Sequence, residues 1–152
     1  MADPGVTIAE AVKAALEAGS YSQAFDVTRT YLPRLSLASG DLDALQVLVV
    51  PGPAEGAWAN RSQQEHLHQV DVAVCKKVAE YTNATLDPLL GLLRELADDL
   101  VGERLGLEVQ PDDRAICTGW QYLTGAEAGY APDLLEKLTF VAVCRLTYRL
   151  IR

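Results

Sequence analysis

The stretch from His66 to Leu105 constrains the fold most, because two different hydrophobic periods meet inside it. In HLHQVDVAVCKKV, Val70, Val72 and Val74 point one way and Gln69, Asp71 and Lys77 the other, the period-two pattern of a half-buried antiparallel strand. After the polar EYTNAT the period becomes helical. Leu86, Leu89, Leu90, Leu93, Leu96, Ala97, Leu100 and Val101 form one stripe, opposite Arg94, Glu95, Asp98, Asp99 and Glu103. Asp87 as N-cap, Pro88 at the first helical position and Gly106 as a left-handed stop delimit this helix. A strand followed at once by an amphipathic helix predicts a sheet with one helix-covered face and one face left for water or a partner.

The remaining elements follow the same rules. Thr7 to Ala18 reads as a helix with a Thr7/Glu10 capping box, an apolar stripe of Ile8, Val12, Ala15 and Leu16, and Gly19 as its stop. Phe25, Val27, Arg29 and Tyr31 alternate with polar residues in a strand that Pro33 ends or confines to an edge. ALQVLVV is a short buried strand stopped by Pro51, and residues 51–65, with two prolines and two glycines, predict an exposed loop that joins the two arms of a hairpin. A loop of that length is functional or disordered, and Trp58 and Arg61 within it are residue types that anchor interfaces. Arg114 to Thr118 is a short strand among turn signals at Pro111, Gly119, Gly125 and Gly129. The closing LTFVAVCRLTYRLIR places Leu138, Phe140, Ala142, Cys144, Leu146, Tyr148 and Leu150 on one face, and its length predicts a place inside the sheet. These elements make an α+β chain, a single domain over residues 1–152, mostly antiparallel, with helices packed on one face.

Composition narrows the function. A net charge of -8 and a pI near 4.7 disfavour unspecific binding to nucleic acid or anionic membrane, although Arg145, Arg149 and Arg152 gather on the last strand. Cys75, Cys117 and Cys144 are isolated, lack metal-binding spacing, and suit reduced, buried thiols. The N-terminus lacks a signal-peptide pattern, and no apolar run approaches the roughly 20 residues that span a bilayer.

Candidate chemistry is sparse. His66 and His68 project to one side of a strand and would chelate a metal only with a third ligand such as Glu65; histidines ending a strand are the simpler reading. Neither a nucleophile elbow nor a glycine-rich phosphate loop is present, and the pairs Asp98/Asp99 and Asp112/Asp113 read as solvated acids. No catalytic residue, cofactor or metal site is expected. Trp120, Tyr122 and Tyr130 cluster before the last strand, where they either cap the open end of the core or, with Trp58, touch a neighbouring subunit.

The order of elements, the V-x-V-x-P run from Val47 to Pro51 before a long loop with Arg61, the valine-rich strand after it, the helix opening DPLL and the closing F-x-x-x-x-R-L-T-Y-R strand resemble the tail terminator (tail completion or minor tail) proteins of long-tailed bacteriophages and their prophage or gene-transfer relatives. The resemblance covers nearly the whole chain. It implies a structural, non-enzymatic virion protein that caps the tail tube as a homo-hexameric ring, ends tail polymerisation and meets the head–tail connector or head completion protein. It further implies assembly in the host cytoplasm, no membrane contact, and a lumen through which DNA passes without specific binding, which acidic side chains such as Asp98 and Asp99 would favour. Residues 51–65 would then be a ring or tube contact. Another neck component is the near alternative, and a small metal-dependent or ligand-binding domain using His66 and His68 the distant one.

Overall fold

The computed structural model describes residues 3–30, 45–58, 60–78, 82–101, 107–110, 113–123 and 139–151. Helix α1 (Pro4–Ala18) precedes strands β1 (Asp26–Arg29), β2 (Gln46–Trp58) and β3 (Gln64–Lys77). Helix α2 (Asn83–Val101) follows, then β4 (Leu107–Gln110), β5 (Asp113–Leu123) and β6 (Thr139–Ile151). The strands form one sheet in the order β1-β2-β3-β6-β5-β4, antiparallel throughout except for the parallel pair β1 and β2. This is the mostly antiparallel α+β architecture that the periodicities predict, with β6 inside the sheet between β3 and β5. Tyr31, Pro33, Gly106, Pro111, Gly125, Gly129 and Tyr130 lie outside the described residues.

Both helices pack on one face. Ile8, Val12 and Leu16 of α1 and Leu89, Leu93, Leu96 and Leu100 of α2 meet Val47, Val49, Val70, Val72, Val74, Cys144, Leu146 and Tyr148 in the main core. β3 is not half-buried, however. Its residues Val70 to Cys75 are buried on both faces, because Leu48, Ala73, Cys75 and Val143 form a second, smaller cluster on the reverse side, with Val141 and Leu123 against it. Alternation therefore overstates the wet character of this strand.

Both helices begin earlier than their sequence signals. α1 is capped by Asp3, whose carboxylate accepts the N–H groups of Gly5 (2.8 Å) and Val6 (3.3 Å), with Pro4 at its start. The Thr7 hydroxyl donates back to the Asp3 carbonyl, so it is not the cap. α2 starts at Asn83 after Thr82, whose hydroxyl accepts the Thr85 N–H and whose carbonyl accepts the Leu86 N–H. Pro88 thus sits inside the helix, where its missing N–H frees the carbonyl of Ala84. Ala84 and Pro88 are both exposed, so water can satisfy the freed group and the helix continues. At the far end of α1, Gly19 has φ -76° and is not left-handed; it is glycine because the Tyr21 ring folds over it where a Cβ would stand.

Two bulges carry strands through residues that read as stops. Pro51 pairs with Val70 and Ala54 with His68, so Gly52 and Pro53 together oppose Gln69, and a Cβ on Gly52 would lie 3.0 Å from the Gln69 carbonyl oxygen. Residues 51–58 are therefore the outer half of β2, and the exposed loop expected at 51–65 is an antiparallel hairpin with a short turn. On β5 the register shifts between Cys117 and Gly119, so the strand does not end at Thr118 but runs on to Leu123.

Tyr148 is 0% exposed, and its hydroxyl has no hydrogen-bond partner among the described residues. A buried donor without a partner costs about 1–3 kcal/mol relative to an apolar group of the same shape. Tyr148→Phe is expected to raise stability by about 1 kcal/mol in urea unfolding, with an unchanged denaturant slope.

Candidate interaction surface

Asn60 fixes the turn between β2 and β3 with its side chain. Its Oδ1 accepts the N–H groups of Ser62 (2.9 Å) and Gln63 (3.0 Å) and the Ser62 hydroxyl, while its Nδ2 donates to Gln63 Oε1 at 3.0 Å. The Asn60 N–H donates to the Gln63 carbonyl, and Trp58 pairs with Gln64 where the strands close. Such local side-chain bonds let a short polar sequence hold one turn geometry. The tip they build presents Arg61, which is exposed.

Arg61 differs from four other arginines in its surroundings. Arg29 pairs with Glu10, Arg94 with Asp98, Arg145 with Asp71 and Arg149 with Glu65, whereas Arg61 has no ion pair among the described residues. Of the possible basic patch on the last strand, Arg145 and Arg149 are thus paired with acids of β3, and Arg152 lies outside the described residues. Arg145 and Asp71 meet in a two-point contact of 2.8 and 3.1 Å on the face away from the helices. Beside that pair, Glu55, Leu67, Gln69 and Thr147 line a shallow hollow of about 100 Å³.

Of the five candidate interface residues Tyr130 lies outside the described residues, and the structure does not bring the other four together. Trp58 and Arg61 lie at the hairpin end, and Trp120 and Tyr122 lie on β5. The bulge at Thr118 turns Trp120 to the helix side, where it packs against the main core, meets Tyr122 edge-on at 5.0 Å, and receives the Arg94 guanidinium 4.8 Å above its ring. Trp120 therefore closes the core under α2, while Tyr122 remains 44% exposed. Asp98 and Asp99 are also engaged within the chain: Asp98 with Arg94, and Asp99 as acceptor of the Tyr21 hydroxyl at 2.6 Å.

His66 and His68 stack with ring centroids 6.2 Å apart; His68 is buried beneath the start of α1 and His66 only partly so. Among the described residues, no group of three His, Cys, Asp or Glu side chains gathers as a metal site would require. The three cysteines are free and buried. Burial pushes the Cys144 thiol up to about 12 from its ordinary 9.0, and pushes Cys117 and the Tyr148 phenol upward as well. A second opening, about 520 Å³, lies between the end of α1 and β1 and is lined by Glu17, Gly19, Tyr21, Phe25 and Asp26 among others.

No known family model matches the sequence. No curated protein matches it either. Among solved structures, a chain described as "Virion of native gene transfer agent (GTA) particle" is similar at 16% identity and a TM-score of 0.48, over 94% of this chain and 92% of that one. Among the described residues, no helix is long and apolar enough to cross a membrane.

Asn60→Ala is expected to speed hydrogen exchange at the Ser62 and Gln63 amides while global stability falls by less than about 1 kcal/mol, since only the tip depends on those bonds. The buried thiols predict alkaline instability. A group whose folded pKa is raised contributes fully below its unfolded value, so stability holds below about pH 9 and declines toward pH 12. Cys144→Ala should flatten that decline in urea unfolding midpoints.

Proposed function

We propose that this chain is a structural subunit of a phage-like tail, a tail terminator that caps the tube as a ring and presents a surface to the head connector. The observation that carries the reading is the hairpin of residues 51–65. The segment that the sequence resemblance marks as a ring or tube contact is two strands and a side-chain-fixed turn that hold Arg61 in water. Preorganisation of this kind lowers the entropy lost when a surface docks, which is what a subunit added once to a finished tube requires.

The remaining geometry supports the same role. A sheet buried on both faces at its centre resists deformation, and it carries the hairpin as an extension of two of its own strands. In this reading the partners are other copies of the chain, the tail tube protein and the connector, and the protein performs no chemistry. DNA passes the ring unbound because the chain is acidic and Arg29, Arg94, Arg145 and Arg149 are already paired with carboxylates.

Electron microscopy of purified protein mixed with assembled tail tubes tests this. A ring of density at one tube end is expected with the native chain, and none with a Trp58→Ala/Arg61→Ala variant. Addition to isolated head connectors and not to tubes would instead identify a neck adaptor, and binding to neither would overturn the virion role.

A further inference from the structure

Arg61 and the larger opening lie at opposite ends of the sheet. β1 enters at Asp26, in register with Gln46 at the start of β2, while Arg61 follows Trp58 at the end of β2. At about 3.3 Å per residue the two are separated by on the order of 40 Å, so one chain cannot bring its own tip to its own opening. A second copy can.

We propose that the Arg61 tip of one subunit seats in the opening between α1 and β1 of the next, so that the ring is built from head-to-tail contacts between copies of this chain. The claim deepens the ring reading above and rests on it. Two complementarities support it. In charge, the opening carries the exposed carboxylates of Asp26 and of Glu17, the latter paired with Lys13, and Asp26 has no ion pair among the described residues, just as Arg61 has none. In chemistry, the rings of Tyr21 and Phe25 stand 5.5 Å apart at the same opening. A guanidinium between carboxylates and aromatic rings is a preferred arginine environment, and one that lysine satisfies less well. Size agrees too: at about 520 Å³ the opening exceeds one side chain and suits the end of a hairpin.

The receiving site is also held in shape. Tyr21 is fixed by its hydrogen bond to Asp99, and the Ser22 N–H and hydroxyl both bond Glu95, so the segment between α1 and β1 is tied to α2. Knob and hole are therefore both rigid before they meet. A contact that uses two different patches is heterologous, and it closes as a ring only when the rotation between copies divides a full turn.

Disulfide trapping tests the contact, because the native cysteines are buried. Arg61→Cys and Asp26→Cys proteins, mixed and oxidised in the presence of tail tubes, are expected to give a covalent dimer on a non-reducing gel. The Arg61→Cys/Asp26→Cys double variant should give a ladder. A yield no greater than that of Arg61→Cys mixed with Glu55→Cys, a control at another exposed site, would overturn the proposal. As a second measurement, Arg61→Glu and Asp26→Lys should each abolish the ring on tubes and restore it when combined in one chain. Rings that survive either reversal alone overturn this contact and leave the terminator reading standing; trapped dimers from protein that never caps tubes support the contact and overturn the terminator reading.

Discussion

The pairing of β3 with β6 is the constraint on which the rest of the structure depends. It runs without a break from Glu65 opposite Ile151 to Lys77 opposite Thr139; β2 is added to β3 and β5 to β6, and the edge strands β1 and β4 are added in turn to those two. Side chains alternate in direction along a strand, so a slip of one residue would drive Asp71 and Arg145 into the leucine core and turn Val70, Val72, Leu146 and Tyr148 outward. The Asp71–Arg145 contact opposes such a slip directly, since the two residues meet only in this register. Arg149 and Glu65 repeat the device near the hairpin end, in a more exposed pair that contributes less.

Much of this frame was legible in the chain. The inner place of β6, the apolar stripes of both helices, the hairpin between β2 and β3 and the burial of the three thiols all follow from period and length, which report burial over many residues at once. What failed was local. Asp87–Pro88 and Thr7 carry cap signals, yet the caps are Thr82 and Asp3, because a helix continues past a proline when the freed carbonyl faces water. Pro51 and Gly119 read as strand ends, yet pairing resumes after a bulge at each, driven by strand partners distant in sequence.

The candidate surface was legible in part. Arg61 stands out in the sequence by its residue type between two strands, and its lack of an ion pair among the described residues adds to that reason, but the partner of each arginine depends on register and leaves no mark in the sequence. Nor did anything in the segment from Gly19 to Val27 announce an opening, since it forms only where the end of α1, the start of β1 and the Tyr21 ring converge. The aromatic cluster divided for a related reason. By sequence Trp120 fits a cap on the core as well as a subunit contact, and only the phase change on β5 assigns it to the core.

That phase change bears on how such a sheet can evolve. A bulge stores one surplus residue, and that residue can be lost without changing the orientation of those beyond it, because the partners on either side are already in register. Loss of Thr118 would leave Cys117 opposite Tyr148, Gly119 opposite Thr147 and Trp120 opposite Leu146, so Trp120 and Tyr122 would keep their side of the sheet and Arg94 its ring, whereas loss of a paired residue between Gly119 and Leu123 would turn the residues on one side of the gap over. Length variation within β2 and β5 should therefore be tolerated at the bulges themselves, as it is in connections and turns, while the paired residues on either side hold their count.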